Sequence, residues 1–336
     1  MNILGIETSC DETSAAVLHQ GRVLANEISS QLIHREFGGV VPELASRAHQ
    51  RLIIPVVAAA LKGAGMTTKQ IDGLAATQGP GLVGALLVGL NFAKALAYAL
   101  GKPFIGVNHM EGHLYSPFLA PKPPSYPYLS LIVSGGHTML THVQAPGEHR
   151  VLGQTRDDAA GEAFDKVAKM LGLGYPGGPE IDRLARTGNP DAVHFPRGLA
   201  QEETLDFSFS GVKTAVLYHL RDTGWGPGSP QSASRLGDLC ASFQAAVVDV
   251  LVEKTMRAAR ALAIDCVTLA GGVAANSLLR QRLERACRAE GREVIWPPLE
   301  YCMDNGAMIA YVGWMRMLRG ARSSMDLPAV AGMSLS

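Results

Sequence analysis

Two histidines four residues apart are the clearest candidates for metal chemistry in this chain. His109 and His113 lie in the segment His-Met-Glu-Gly-His, which follows an apolar stretch that predicts a strand. At about 100° per residue, a helix carrying them would place both imidazoles within about 40° of each other. Such a pair also arises by chance on helix surfaces, but at the end of a strand it favours a site for one metal ion.

A third metal ligand has to come from a distant part of the sequence. Asp304 is the leading candidate, because it lies in a polar turn just before a helical run. Two imidazoles and one carboxylate leave open positions on an ion, which suits a metal that binds substrate. A His-Glu-x-x-His metalloprotease would need glutamate directly after the first histidine. Glu111 is instead about 200° around the helix from His109, which is poor placement for a protease base.

Asp11 and Glu12 are the second candidate group for chemistry. They occupy a short polar turn between two predicted strands. Paired acids in a turn are ordinarily solvated, but in a ligand-binding cleft one of them could accept a proton.

The elements that would position these residues occur twice. The first 26 residues are predicted to form a strand, a polar turn, a strand, a glycine turn and a strand, and residues 128–155 repeat that order. Each copy leads to a strand, a glycine turn and a helix, at 71–90 and at 264–283. Two matched segments in the same order predict an α/β protein with duplicated domains that face a central cleft.

The repeat also predicts where the domains divide. Residues 1–127 would form the first domain, which carries the histidines, and a helix at about 303–320 is expected to pack back onto it. Residues 128–302 would form the second domain, with an insertion at about 175–230 that is rich in Gly, Pro and Ser. An insertion of that length is usually functional.

Four turns are expected at the carboxyl ends of strands, where open α/β sheets bind ligands. Small residues in them let backbone N–H groups approach an anion, so the sequence predicts a phosphate or nucleotide site. The turns span residues 8–13, 79–84, 134–138 and 271–276. The chain has no P-loop motif, and its one Gly-x-Gly-x-x-Gly match, at 172–177, follows a helix-like segment, so a Rossmann site is rejected.

Composition narrows the class of protein further. The hydrophobic fraction of 47% indicates a folded protein. The net charge of zero gives no indication of a nucleic-acid-binding protein. Five cysteines without a Cys-x-x-Cys pair argue against a disulfide scaffold and a zinc knuckle. The apolar run 82–100 carries Lys94 and is predicted to be a buried helix, so we expect a cytoplasmic protein without a membrane segment. Arginines from Arg280 to Arg292 predict a solvated helix face and are the best candidates for RNA contact.

Ten segments of the chain resemble the TsaD family of tRNA threonylcarbamoyladenosine transferases, formerly labelled O-sialoglycoprotein endopeptidases. They run from the first strand to residue 311 and comprise GIETSCDET (5–13), GGVVPELASR (38–47), GPGLVGALLVG (79–89), NHMEGH (108–113), VSGGHT (133–138), DDAAGEAFDK (157–166), YPGGPEID (175–182), LDFSFSGVKT (205–214), GGVAANS (271–277) and DNGAMIAY (304–311).

The resemblance implies the ASKHA fold of actin and sugar kinases. It implies transfer of a threonylcarbamoyl group from threonylcarbamoyl-adenylate to the exocyclic amine of the tRNA adenosine after the anticodon. The family's metal ligands correspond to His109, His113 and Asp304, with Fe²⁺ as the usual ion and Zn²⁺ as the alternative. Its substrate-contacting positions correspond to Ile132, Val133, Ser134, Gly135, Gly136, Asp165, Gly178, Asp182 and Asn276.

Further expectations depend on this resemblance. Bacterial members act with TsaB and TsaE on tRNA, after TsaC has made the adenylate, and the nucleotide site holds that adenylate or ATP. Asp11 or Glu12 is our hypothesis for the base that accepts the amine proton. A metalloprotease, an ASKHA small-molecule kinase and a non-catalytic scaffold remain as alternatives. One departure is the end of the chain, which lacks the basic Arg, Pro and Trp segment of many bacterial members.

Overall fold

The computed structural model of the chain describes residues 1–31, 34, 39–225 and 233–335. It divides into two compact units: unit 1 consists of Met1–Pro123 and Pro297–Ser336, and unit 2 of Pro124–Trp296. Residue 38 of one family-like segment and residues 226–230 of the predicted insertion lie outside the described residues.

Unit 1 contains a five-stranded sheet. Its strands are β1 (Asn2–Glu7), β2 (Glu12–His19), β3 (Arg22–Ser30), β4 (Gly73–Gly79) and β5 (Phe104–Asn108). Their order across the sheet is β3-β2-β1-β4-β5. The first three pair antiparallel, whereas β1, β4 and β5 run parallel. The strands predicted for the start of the chain and before the histidines are confirmed.

The helices described in the first part of unit 1 are α1 (Pro42–Gly63), α2 (Val83–Leu100) and α3 (His109–Tyr115). Side chains from β1, such as Leu4 and Ile6, share a buried core with Ile53 of α1 and Leu90 of α2. Alternate apolar residues of β1 therefore hold two helices on one face of the sheet.

The predicted helix in the apolar run 82–100 is confirmed as α2, but only one side of it is buried. A third of its residues are buried, and Tyr98 is 81% exposed. By length and composition alone α2 could cross a membrane. That test is weak evidence for one helix, because a core helix of a globular protein also passes it.

Unit 2 repeats the architecture of unit 1. Its strands are β6 (Tyr128–Val133), β7 (Thr138–Ala145), β8 (Glu148–Gln154), β9 (Cys266–Ala270) and β10 (Glu293–Ile295). Their order is β8-β7-β6-β9-β10, which matches unit 1 strand for strand. Here too the first three strands pair antiparallel and the last two join in parallel. The predicted duplication is confirmed.

The helices described in unit 2 are α4 (Ala160–Met170), α5 (Gly177–Ala185), α6 (Ser210–Asp222), α7 (Ala233–Ala261) and α8 (Ser277–Ala289). Both α5 and α6 belong to the segment predicted as an insertion. The Gly-x-Gly-x-x-Gly match at 172–177 follows α4 rather than a strand, as expected.

The final helix, α9 (Gly306–Leu318), belongs to unit 1 and packs on its sheet. The approach is close at two glycines: a Cβ at Gly5 would lie 2.3 Å from Gly306 O, and one at Gly306 would lie 2.7 Å from Ala16 N. Ser14 Oγ also accepts a hydrogen bond from Gly306 N at 2.8 Å. Larger side chains would separate helix and sheet here. This contact fixes the start of α9, just after Asp304.

The segment after α9 lies along β5, the edge strand of the unit 1 sheet. Ser323 N donates to Phe104 O at 2.8 Å, and Gly106 N donates to Ser323 Oγ at 3.1 Å. Near its end, Ser334 O accepts a hydrogen bond from Asn108 Nδ2 at 2.9 Å. The segment that departs from the family pattern is therefore an ordered part of unit 1.

Candidate active site

Helix α3 begins directly at the end of β5 and carries both candidate histidines. Asn108 is its N-cap residue, and the side-chain oxygen accepts hydrogen bonds from the N–H groups of Met110 and Glu111. This cap stabilises the first turn, which places His109 and His113 one turn apart. Their ring centroids are 4.8 Å apart with nearly perpendicular planes, and both side chains are buried.

Asp304 reaches both rings from the loop before α9. Its Oδ1 lies 3.0 Å from His113 Nε2 and 3.4 Å from His109 Nε2. The three candidate ligand atoms all lie within 4.8 Å of one another. An ion about 2.0–2.2 Å from each atom spans such separations. Two imidazoles and a carboxylate are also the ligand types that divalent Fe and Zn accept, so this donor set fits the implied metal.

Glu7, the last residue of β1, lies behind His109. Its Oε2 is 3.0 Å from His109 Nδ1 and accepts a hydrogen bond from Thr77 Oγ1, while Oε1 accepts one from Ser9 N. The side chain is fully buried. The sequence patterns described above do not single out this residue. The available signal was a single acid at the end of an apolar strand, because a buried charge must be paired or bind a metal.

The charges of this cluster shift one another's titration. Burial alone would lower the pKa of His109, but the carboxylates of Asp304 and Glu7 outweigh it and hold that pKa well above its usual range. Burial would raise the pKa of Asp304, yet His109 and His113 hold it well below the usual value. Burial would also raise the pKa of Glu7, but the contact with His109 lowers it below the usual value. Two ionised carboxylates beside two imidazoles give the cluster an electrostatic preference for a cation.

The two histidines are supported differently. Glu7 and Ser9 Oγ, which is 3.2 Å away, contact His109 Nδ1. The Nδ1 atom of His113 is buried and has no hydrogen-bond partner among the residues that the structure describes. Only His109 therefore has a polar group that orients its ring from behind.

Glu111 does not belong to this cluster. It forms an ion pair with Arg316 of α9, in which Oε2 lies 2.5 Å from Nη2. This contact joins α3 to α9, so Glu111 has a structural role. The residue that a protease reading would need as a base is thus used elsewhere.

The turn with the candidate base is held by a buried histidine. His49 Nε2 donates to Cys10 O at 2.9 Å, and its Nδ1 lies 2.8 Å from Thr13 Oγ1. Because a carbonyl oxygen can only accept, the proton is on Nε2 and Nδ1 accepts from the hydroxyl. Burial lowers the pKa of His49, which keeps the ring neutral.

Glu12 lies in a strongly acidic environment. Burial, as the largest cause, and the negative charges of Asp304 and Asp11 together raise its pKa to about 9. A hydrogen bond with Asp11 contributes as well. Without a cation nearby, Glu12 is therefore protonated at neutral pH.

In unit 2, the turn after β6 is closed by two hydrogen bonds between Ser134 and His137. Ser134 N donates to His137 O at 2.8 Å, and His137 N donates to Ser134 Oγ at 3.1 Å. Gly135 and Gly136 are exposed, with no atom within 4 Å of an added Cβ. The two predicted positions before them, Ile132 and Val133, have fully buried side chains. A ligand at this turn would therefore meet backbone groups.

Two other predicted substrate residues of unit 2, Asp165 and Asp182, accept hydrogen bonds from neighbouring segments. Asp165 Oδ1 accepts from Gly177 N at 2.7 Å. Asp182 Oδ1 accepts from Ser277 Oγ at 2.7 Å, and the adjacent Asn276 caps α8.

Further close contacts connect these residues to the turn after β6. Gly161 N donates to Ser134 O at 3.2 Å, and a Cβ at Gly271 would lie 2.3 Å from Val133 O. Four family-like segments of unit 2 thus form one contact ring. Gly178 lies in it next to Gly177, with space around its Cα.

Two of the arginines that were expected to form a solvated face, Arg285 and Arg288, are exposed, whereas three others contact neighbouring side chains. Arg280 lies over the ring of Trp296, 5.2 Å from its centroid. Arg282 pairs with Asp249. Arg292 is 3.2 Å from a carboxylate oxygen of Glu290. These cations stabilise the packing around α8, and the structure gives no observation in favour of their predicted RNA contact.

Comparison with known proteins identifies relatives along the whole chain. The family profile of tRNA N6-adenosine threonylcarbamoyltransferase, TsaD, matches residues 22–311. The chain is 56% identical over 330 residues to the protein of that name from Anaeromyxobacter dehalogenans strain 2CP-C, covering 97% of each chain. It is 55% identical over 336 residues to the one from Salinibacter ruber, covering 100% of each.

A solved structure supports the fold. Component A of (R)-2-hydroxyglutaryl-CoA dehydratase from Acidaminococcus fermentans aligns with 95% of this chain and 99% of its own, with a TM-score of 0.53 and 15% identity. At that identity the likeness shows the fold alone, which is the duplicated ASKHA fold expected from the sequence. Sequence identity above one half along the full length, together with the matching profile, establishes that this chain belongs to the tRNA N6-adenosine threonylcarbamoyltransferase (TsaD) family.

Proposed function

We propose that this protein transfers the threonylcarbamoyl group of threonylcarbamoyl-adenylate to N6 of adenosine 37 in tRNAs that read codons beginning with adenine. The N6 nitrogen forms a bond to the carbamoyl carbon, the bond from that carbon to the phosphate oxygen breaks, and AMP leaves. One proton leaves N6. Membership of the family supports the reaction, and the convergence of His109, His113 and Asp304 is the structural observation that carries it.

His109, His113 and Asp304 would hold the metal, with Fe²⁺ as the first choice and Zn²⁺ as the second. A bound divalent ion would supply Lewis acidity that stabilises negative charge on a carbonyl oxygen. The chain's own part is to present three donor atoms from two elements, α3 and the loop before α9. Burial of both histidines keeps water from competing for these positions.

In unit 2, the turn Ser134–Gly136 would bind the donor's phosphate through backbone N–H groups. The first turn of α4 supports this assignment, because Gly161 N contacts Ser134 O and a helix N-terminus favours an anion. Asp165 and Asp182 would bind ribose hydroxyls, and Gly178 with Asn276 would border the adenine. The same residues could accept ATP.

Asp11 or Glu12 would accept the proton from N6. In metal-free protein the raised pKa of Glu12 favours Asp11 as the acceptor, since a protonated carboxyl group cannot take up a second proton. A cation bound at Asp304 would weaken that preference, because the charge of Asp304 is one cause of the raised pKa. Glu12 would then orient Asp11 by donating a hydrogen bond to it.

The proposed partners are those that the resemblance to bacterial members of the family implies. We propose that TsaB and TsaE act with this chain on tRNA, that TsaC supplies the adenylate, and that the reaction takes place in the cytoplasm. Nucleoside mass spectrometry of unmodified tRNA, incubated with these proteins, threonine, bicarbonate and ATP, tests the whole proposal. Threonylcarbamoyladenosine should form with wild type and be lost with His109→Ala. Its absence with wild type, when the adenylate has formed, would contradict the proposal.

The proposed base needs a separate test with preformed adenylate in a single turnover. Asp11→Asn should slow transfer by about 100-fold or more, because general-base catalysis contributes that much, and should leave donor binding unchanged. Glu12→Gln should have a smaller effect, since an amide can still donate to Asp11. Unchanged transfer in both variants and in their combination would remove the pair from this role.

A further inference from the structure

Glu7 is a fully buried ionisable residue next to the site, and the proposed reaction does not use it. It has no exposed surface, and each of its carboxylate oxygens accepts a hydrogen bond from the chain. Oε1 accepts from Ser9 N, and Oε2 accepts from Thr77 Oγ1 at 2.5 Å. These two contacts, to the following loop and to β4, fix the plane of the carboxylate. Glu7 therefore presents Oε2 to His109 in a fixed position.

The contact between Glu7 and His109 determines which ring nitrogen carries the proton. Oε2 lies 3.0 Å from His109 Nδ1, and an ionised carboxylate can only accept. Nδ1 must therefore donate, and Nε2 of the neutral ring keeps its lone pair. Nε2 is also the nitrogen that lies near Asp304 Oδ1, at 3.4 Å, where His113 Nε2 converges.

We propose that Glu7 is a positioning residue for the cation, which fixes His109 in the Nδ1–H form and thereby directs the Nε2 lone pair to the ion. This inference rests on the metal site of the proposed function. Carboxylates that accept from a ligating histidine orient the ring and raise its basicity, and their loss typically weakens metal binding about 10–100-fold. His113 lacks such a group at Nδ1 among the described residues, so within the histidine pair only His109 has a carboxylate behind its ring.

Glu7 itself is not a ligand in this proposal. Its oxygens are used by Ser9, Thr77 and His109, and it contacts the ring nitrogen that does not face Asp304. Its negative charge would still favour a cation through the ring. The cluster would then supply two negative charges, one from Asp304 and one from Glu7, to a divalent ion.

The test measures Co²⁺ binding by the metal-free protein, through the absorption of the bound ion and through competition with Zn²⁺. Glu7→Gln should bind Co²⁺ about 10–100-fold more weakly than wild type. The amide nitrogen can donate to Nδ1 and thus stabilise the wrong ring form. Affinity equal to wild type in folded Glu7→Gln would overturn the proposal.

Glu111→Gln is the matched control. Glu111 is an equally buried glutamate, two residues from His109 in sequence, and it contacts Arg316 instead of a histidine. Its variant should keep Co²⁺ affinity within about threefold of wild type. An equal loss in both variants would overturn the proposal, because it would show a general effect of removing a buried charge.

A measurement on wild type needs no variant to fold. Long-range ¹H–¹⁵N spectra of the imidazoles, before and after Zn²⁺ is added, should show His109 with its proton on Nδ1 in the zinc-bound protein. A proton on Nε2 would overturn the proposal. Neither readout uses tRNA or the donor, so failure of transfer with intact zinc binding would count against the proposed function and leave the role of Glu7 standing.

Discussion

The two units share one arrangement of strands and differ in the residues at the ends of those strands. Ile6 pairs with Ala76 at the last parallel position between β1 and β4, and Ile132 pairs with Ala270 at the same position between β6 and β9. The next residue is Glu7 in unit 1 and Val133 in unit 2. Both are fully buried. Equal burial thus accommodates a charge in one unit and an apolar side chain in the other.

The turns that follow these strands also differ in charge, with an acidic residue in unit 1 and an uncharged residue in unit 2. Ser14 and Thr138 are equivalent, since they pair with Glu7 and Val133 across the antiparallel strands. Two residues before them lie Glu12 in unit 1 and Gly136 in unit 2. An acidic turn suits a cation and proton transfer, whereas a glycine turn offers backbone N–H groups to an anion. Side chains at the strand ends, and not the sheet, therefore separate the two chemistries.

The largest effect is expected when unit 2 receives the charge of unit 1. Val133→Glu would replace a fully buried apolar side chain by a carboxylate, so we expect a loss of about 3–5 kcal/mol in the free energy of unfolding. Urea denaturation measures it, with Val133→Ile as the apolar control. A loss below about 1 kcal/mol would show that this strand end tolerates a charge and would weaken the comparison.

Removing a ligand tests the cation side of the comparison. His113→Ala should abolish stoichiometric metal binding and slow transfer by at least about 100-fold, or about 2.7 kcal/mol, because two donors hold an ion far less well than three. Metal analysis and single-turnover transfer measure the two effects. His194→Ala, an exposed histidine in unit 2, is the control and should behave as wild type.

The glycine turn of unit 2 can be tested at two neighbouring positions. Gly161→Ala should cost about 1–3 kcal/mol, because its Cβ would lie 2.5 Å from Ser134 O and displace the turn. Gly135→Ala has free space and should change stability by less than about 0.5 kcal/mol, yet weaken donor binding. Denaturation and donor titration separate the effects. Unchanged donor affinity in Gly135→Ala would argue against a ligand at this turn.

The smallest expected effect is the pH dependence that Glu12 confers on metal-free protein. Its native pKa is raised to about 9, whereas the unfolded carboxyl group titrates near 4.5. The stability that the protonated carboxyl group of Glu12 contributes is therefore fully present below about pH 4.5 and is lost as the pH rises towards 9. Glu12→Gln stays neutral, so its stability relative to wild type should increase by about 1 kcal/mol or more between pH 5 and pH 8.

Denaturation of chelator-treated protein at several pH values measures this difference. The exposed Glu43, changed to Gln, provides a control for the loss of a carboxylate outside this turn. A constant difference for Glu12→Gln would mean that Glu12 is ionised in the native protein, and would remove the argument that favours Asp11 as the base.

Local patterns of the sequence predict much of this fold. Apolar alternation and glycine turns identify the first three strands of each unit, and matched order identifies the duplication. The His109–His113 spacing predicts a helix with both rings on one side, and the structure brings Asp304 to them. These features depend on residues that are close in sequence, or, for Asp304, on the small number of side-chain types that can be metal ligands.

Contacts between distant residues could not be predicted in this way. Glu7 and His109 are 102 residues apart, and no spacing rule joins them. The pairing of Arg282 with Asp249 likewise depends on how α7 packs on α8, so a run of arginines suggests solvent exposure until that packing is known. The exposure of one side of α2 could not be predicted for the same reason, since apolar content does not indicate which face of a helix a neighbour covers.

The segment after α9 has a consequence for how the protein behaves at high concentration. β5 is the edge strand of its sheet, and a bare edge offers unpaired peptide groups to strands of other molecules. Ser323 occupies Phe104 O and Gly106 N on that edge. A chain trimmed by a protease before residue 323 would expose them and would be prone to self-association and precipitation.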